Sequence, residues 1–187
     1  HHPLASSIVA GLLAIAPAPA ATTHYVDLGN PTPASPYTNW FTAATNIQDA
    51  IDTAGPGDLV LVTNGVYQAG GAQDSQLTYS RVALTKPLTV QSVNGPAATL
   101  ILGSPGSHPP SPFPVRCACL TNGAALVGFT LTNGTANGSS PTYGGGVYGL
   151  PAPVHTGVVS NCVLTGNVAD VGGGAAGMYC AIKLQEA

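Results

Sequence analysis

Catalysis needs titratable or nucleophilic side chains in company, and this chain has few of either. Its charged residues are four Lys or Arg and seven Asp or Glu in 187 residues. The acids are Asp27, Asp49, Asp52, Asp58, Asp74, Asp170 and Glu186; the bases are Arg81, Lys86, Arg116 and Lys183. Asp49 and Asp52 stand three apart, which on a helix with Ile47 and Ile51 facing the core makes a solvated face. Asp58 follows Pro56-Gly57 and is expected to fix that turn through the backbone. Asp74 and Asp170 have no acidic neighbour in sequence. His24, His108 and His155 lack a patterned Ser or Cys partner, and no G-x-S-x-G elbow occurs. Gly144-Gly145-Gly146 is followed by neither GK[ST] nor a helix, so it is no phosphate loop. Cys117, Cys119, Cys162 and Cys180 have no nearby His to complete a zinc site. Three disulfide pairings remain open, and the simpler expectation is small buried apolar side chains. No metal or cofactor is therefore expected. A net charge of −3 excludes an electrostatic nucleic-acid binder.

The elements that would position these residues are mostly short strands. Gly 24 and Pro 17 with so little charge exclude coiled coils and helical bundles. Leu4 to Ala16 is an apolar run too short to span a membrane but suited to an export leader, with Ala18-Pro19-Ala20 as its cleavage motif. Residues 1–20 are thus expected to be a signal peptide-like segment and 21–187 the N-terminal part of one domain, truncated at its C-terminal side. His24-Tyr25-Val26 reads as a first strand. Thr45 as N-cap with Gln48 at N3 predicts a helix start, and Ile47, Ala50, Ile51 and Ala54 form its apolar stripe. Gly55-Pro56-Gly57 ends it. Strands are expected at Asp58–Thr63, Val66–Tyr67, twice within Arg81–Val93, at Thr99–Leu102, Arg116–Thr121 and Leu126–Thr132, with 103–114 an irregular surface loop. Asn133-Gly134-Thr135 and Asn137-Gly138-Ser139 match glycosylation sequons but read as Asn- and Gly-rich turns.

Two segments recur. Gly144-Gly145-Gly146-Val147-Tyr148 returns as Gly172-Gly173-Gly174-Ala175-Ala176, and 127–134 aligns with 160–167, at unequal offsets of 28 and 33. Strand-only repeats of this period point to a β-helix in which loops vary and strand cores recur. Phe129 and Leu131 should then face inward, with Cys162 and Leu164 stacked on them one coil later. Small and uncharged residues suit such stacking, because like charges in register repel.

Asn46-Ile47-Gln48-Asp49-Ala50-Ile51, then Pro56-Gly57-Asp58-Leu59-Val60, then Asn64-Gly65-Val66-Tyr67, resembles the opening of right-handed parallel β-helix proteins of the pectin-lyase-like superfamily. Large secreted bacterial β-helix repeat proteins are the nearest in kind. Asn161 to Asn167 and Gly172 to Gly174 also resemble repeats of autotransporter-like surface proteins. The likeness covers roughly residues 46–180. It implies an all-β, right-handed parallel β-helix with a short N-terminal capping helix. Activity does not follow, since such proteins include polysaccharide lyases, glycoside hydrolases and non-catalytic adhesins or stalks.

A hydrolase of this kind would use paired carboxylates, and none pair here. A lyase would need carboxylates for calcium and a basic residue to take a proton beside a uronate. Arg81 and Arg116 each open a strand and could point outward from comparable places on two coils, so they are the weak catalytic candidates. Ca2+ enters only with that lyase reading. Tyr37, Trp40, Tyr143 and Tyr148 are the candidate substrate-binding residues, because flat aromatic faces carry sugar rings. Against this, Trp40 and Phe41 could simply pack the cap onto the first coil. The expectation is an exported, monomeric, cell-surface or extracellular scaffold with a polysaccharide or glycan partner and no membrane span. The alternatives are a pectate-lyase-like lyase or hydrolase with its active site in later coils, and a structural stalk.

Overall fold

The computed structural model describes residues 20–73, 78–106, 113–121, 123–136, 142–149, 156–177 and 181–185. The leader-like run, Asp74, His108, His155, Cys180, Glu186 and the second sequon lie outside these residues.

The chain climbs in coils of three strands. The first coil holds β2 (Leu59–Val62), β3 (Gly65–Tyr67) and β5 (Tyr79–Leu84), with a small strand β4 (Ala72–Gln73) antiparallel to β5. The second holds β6 (Thr89–Ser92), β7 (Thr99–Leu102) and β9 (Pro114–Leu120). The expected irregular loop after β7 contains a short strand, β8 (Ser104–Pro105), which pairs antiparallel with β9. The third coil holds β10 (Ala125–Val127), β11 (Thr130–Thr132) and β12 (Val147–Gly149). The fourth holds β13 (Thr156–Ser160), β14 (Val163–Thr165) and β15 (Ala175–Gly177), and β16 (Ala181–Gln185) opens a further layer. Before them all, β1 (Thr23–Val26) pairs in parallel with β2. The stacked strands form three parallel sheets, the architecture the repeats predicted.

The repeat offsets are the pairing register. Val147 pairs with Ala175, 28 residues on, and Thr130 with Val163, 33 residues on. One reading needs correction: Leu126–Thr132 is two strands, not one, broken at Gly128, whose φ is +82°. The same corner one coil later is Asn161 at φ +48°. At the next corner the types exchange, with Asn133 at +57° below Gly166 at +62°. Left-handed backbone is cheap for Gly and tolerated by Asn, so either serves.

Each sheet contributes one inward row. Val60, Val90, Leu126 and Val159 stack in the first, Tyr67, Ile101, Leu131 and Leu164 in the second, and Val82, Ala118, Val147 and Ala175 in the third. Phe129 joins them fully buried, and Cys162 packs against the same core as expected. Burying a Leu, Ile or Phe contributes about 1.5–3 kcal/mol. Among the described residues the one acid–base contact within salt-bridge distance is His24–Asp58, an ion pair only when the imidazole carries a proton. Burial, not charge pairing, therefore holds the coils together.

The capping helix α1 spans Ile47–Thr53, and its stripe Ile47, Ala50, Ile51 and Ala54 is buried on the first coil. Its N-cap is Asn46 rather than Thr45: the Asn46 Oδ1 accepts from the Asp49 N–H at 3.0 Å. Gln48 is thereby released for another task. Its amide accepts from the Ala83 N–H at 2.9 Å and donates to the Ala83 carbonyl at 3.3 Å. A side chain thus imitates the next strand and closes the edge of β5. Lys86 donates to the carbonyls of Asp52 and Ala54, satisfying the helix C-terminus.

Candidate functional site

Neither arginine is solvated. Arg81 is 5% exposed and Arg116 1%, which corrects both the expectation of an accessible pair and its solvated alternative. Arg116 is covered on the outer side by Tyr143, Gly144 and Tyr148, and Arg81 lies where strand alternation breaks. The successive N–H groups of Cys117 and Ala118 both donate to the next coil, to Gly145 and Gly146. Cys117 and Ala118 consequently both enter the core. Gly146 and Val147 repeat the pattern toward Gly173 and Gly174. At this corner the Arg81 Nε donates to Leu102 O at 3.0 Å and its Nη1 to Gly70 O at 2.7 Å. The Arg116 Nε donates to Gly144 O at 2.7 Å and its Nη2 to Tyr143 O at 2.9 Å, with the guanidinium 4.7 Å from the Tyr148 ring centre. Burial lowers the Arg81 pKa from its ordinary value. Both side chains act as struts that tie loop carbonyls to the coil wall.

The four candidate aromatics fall into two places. Tyr148 is buried outside the third sheet with Ala83 and Cys119, and Tyr143 stacks on it at 6.3 Å. Tyr37 packs against the main core, and Trp40 meets Tyr25 edge-on at 4.5 Å. Trp40 therefore does part of the packing expected of it, yet remains 41% exposed. Phe41 does not pack at all: it is 88% exposed. Its backbone is nevertheless pinned. The Phe41 carbonyl accepts from Asn30 Nδ2 and Thr32 Oγ1, both at 3.3 Å. Trp40–Thr42 form a single 3-10 turn capped by Asn39, whose Oδ1 accepts from the Thr42 N–H at 3.1 Å. The cap thus presents one aromatic ring outward from a fixed main chain.

Sequence reasoning missed the pairing of His24 with Asp58. His24 occupies the inward position of β1, in register with Val60, and is 3% exposed. Its Nε2 lies 3.1 Å from Asp58 Oδ2 and its Nδ1 2.7 Å from Pro36 O. Asp58 also accepts from the Thr22 and Gly55 N–H groups, each at 2.7 Å. Burial pushes the Asp58 pKa up, but these hydrogen bonds and His24 outweigh it and leave the carboxyl below its usual range. The turn-fixing expected of Asp58 is present, and it also anchors β1. The pair has no local signal because β1–β2 pairing creates it.

Cys117, Cys119 and Cys162 are thiols rather than disulfides. Burial pushes the Cys117 pKa up to about 12 and raises that of Cys162, so neither is primed as a nucleophile. Among the described residues, no group of three His, Cys, Asp or Glu could hold a metal ion, and no helix is long and apolar enough to cross a membrane. In comparisons with known proteins, no family model matches the chain, and no curated protein or solved structure matches it with significance.

Proposed function

We propose that this is an exported β-helix of the right-handed, pectin-lyase-like kind, a bacterial cell-surface or extracellular scaffold that binds polysaccharide without cleaving it. The observation that carries the reading is Phe41, an almost fully exposed ring on a main chain held by Asn30, Thr32 and Asn39. A rigid aromatic face stacks on a sugar ring at little cost in side-chain entropy. Trp40 beside it supplies a second, half-exposed ring. The lyase alternative draws less support, because Arg81 and Arg116 spend their hydrogen bonds on main-chain carbonyls. Export rests on the leader-like run Leu4 to Ala16.

Co-sedimentation with insoluble glycans (cellulose, chitin, xylan, calcium-gelled pectate) tests the binding claim. Phe41→Ala should weaken binding about two- to tenfold, the worth of one ring stack, with an unchanged unfolding midpoint. Equal binding by Phe41→Ala, or no sedimentation of the unsubstituted protein with any of the glycans, would remove the aromatic platform.

A further inference from the structure

Asn-Gly pairs are the weak points of a long-lived chain. The glycine nitrogen, once it gives its proton to solvent base, can bond to the Asn Cγ. The Cγ–Nδ2 bond then breaks, ammonia leaves with a proton, and water opens the resulting succinimide to Asp or isoaspartate. The reaction needs the glycine N–H to be accessible and its nitrogen free to swing toward the side chain. This chain has five such pairs, at 64–65, 94–95, 122–123, 133–134 and 137–138. Three of them lie wholly within the described residues, and Asn64, Asn94 and Asn133 are all exposed to the water and base that would drive the reaction.

We propose that the coil corners hold these Asn-Gly pairs chemically inert by occupying the attacking N–H, and that Asn167 is the residue that protects Asn133-Gly134. The Gly65 N–H donates to Ala98 O of the next coil at 3.0 Å. The Gly134 N–H donates to Asn167 Oδ1 of the next coil at 2.8 Å. The Gly95 N–H donates to Ser92 Oγ within its own loop at 3.0 Å. Asn167 is itself fixed, since its Nδ2 donates to Leu131 O at 2.9 Å and the Cys117 thiol donates to its Oδ1 at 3.4 Å. Asn167 is followed by Val168, whose β-branched side chain hinders the same attack on its own amide. The locks also rank the corners. A backbone carbonyl or wedged amide from a neighbouring coil moves only if the coil opens, whereas the Ser92 hydroxyl, held by Thr99 Oγ1 at 2.7 Å, belongs to the same loop as Gly95 and moves with it. Asn94 is therefore the first corner to convert.

The inference is independent of what the protein binds. Its test is peptide mapping by mass spectrometry of the whole chain held at mildly alkaline pH, folded and in urea. In the folded protein Asn64 and Asn133 should convert about tenfold or more slowly than in urea, because their corners open only with the core, with Asn94 fastest of the three. Asn167→Ala should accelerate Asn133 roughly two- to tenfold, the factor that one hydrogen bond's net worth converts to, and leave Asn64 unchanged. Asn167→Asp keeps the acceptor but gives up the bond to Leu131 O, so it should accelerate Asn133 less than Asn167→Ala does. Ser92→Ala reads the same claim at a second corner, accelerating Asn94 alone. Folded conversion of Asn133 at the urea rate would overturn the proposal. Equal acceleration by Asn167→Ala and Asn167→Asp, or no acceleration at Asn94 in Ser92→Ala, would do so as well.

Discussion

Asp58 ties three parts of the cap together. Its two carboxylate oxygens take the Thr22 and Gly55 N–H groups and His24 Nε2, joining β1, the turn after α1 and the start of β2. Because its folded pKa is depressed, the stability it contributes is present above the unfolded value of about 3.9 and is lost as pH falls through the lower folded value. Urea midpoints should therefore drop on acidification below about pH 4, and Asp58→Asn should flatten that acid limb. At neutral pH the same variant should cost about 1–3 kcal/mol, since an amide nitrogen would then face a donor where an oxygen accepted. An unchanged acid limb would mean that other carboxylates govern it. The arginines follow a related logic: a buried guanidinium persists where main-chain carbonyls can surround it. Arg81 and Arg116 do this at one corner on adjacent coils, which suits struts better than a substrate clamp.

At the scale of elements, the helix is a lid whose fit depends on one amide. Gln48 gives β5 the donor and acceptor that another strand would give, while Ile47 and Ile51 seal the core beneath. Gln48→Ala should lower stability by about 1–3 kcal/mol, the cost of leaving a buried main-chain group unpaired. It should also speed amide exchange at Ala83 more than at Leu131, which lies two coils further along. Uniform exchange across both would contradict a role at the edge. The apolar stripe, the strand cores and the offsets of 28 and 33 were all legible, because each is a local pattern that the register preserves. The burial of Arg81 and Arg116 was not, since alternation placed them outside and nothing local signals the break in alternation at Cys117–Ala118 or the Tyr143–Gly144 loop that covers Arg116. Thr45 and Asn46 are both good cap types, and the extended backbone at Asn46 with its bond to the Asp49 N–H starts the helix one residue later than expected. Residues that act across coils, such as His24 with Asp58 and Asn167 with Gly134, leave no mark at short range.

For the whole molecule, the shortage of charge is a property of stacking. Three inward rows of apolar side chains and corners of Gly and Asn leave few positions where a charge could sit without a like neighbour above it. The outward side of such a stack is a rigid support, and its N-terminal end carries Phe41, a ring that the core does not use. Binding without turnover is the central claim. The direct measurement follows one protein sample on each glycan that retains it, reading bound fraction together with new reducing ends and the ultraviolet absorbance of unsaturated uronates. Retention with both product signals at the level of a protein-free control is the predicted result; product that accumulates in proportion to protein added would contradict it.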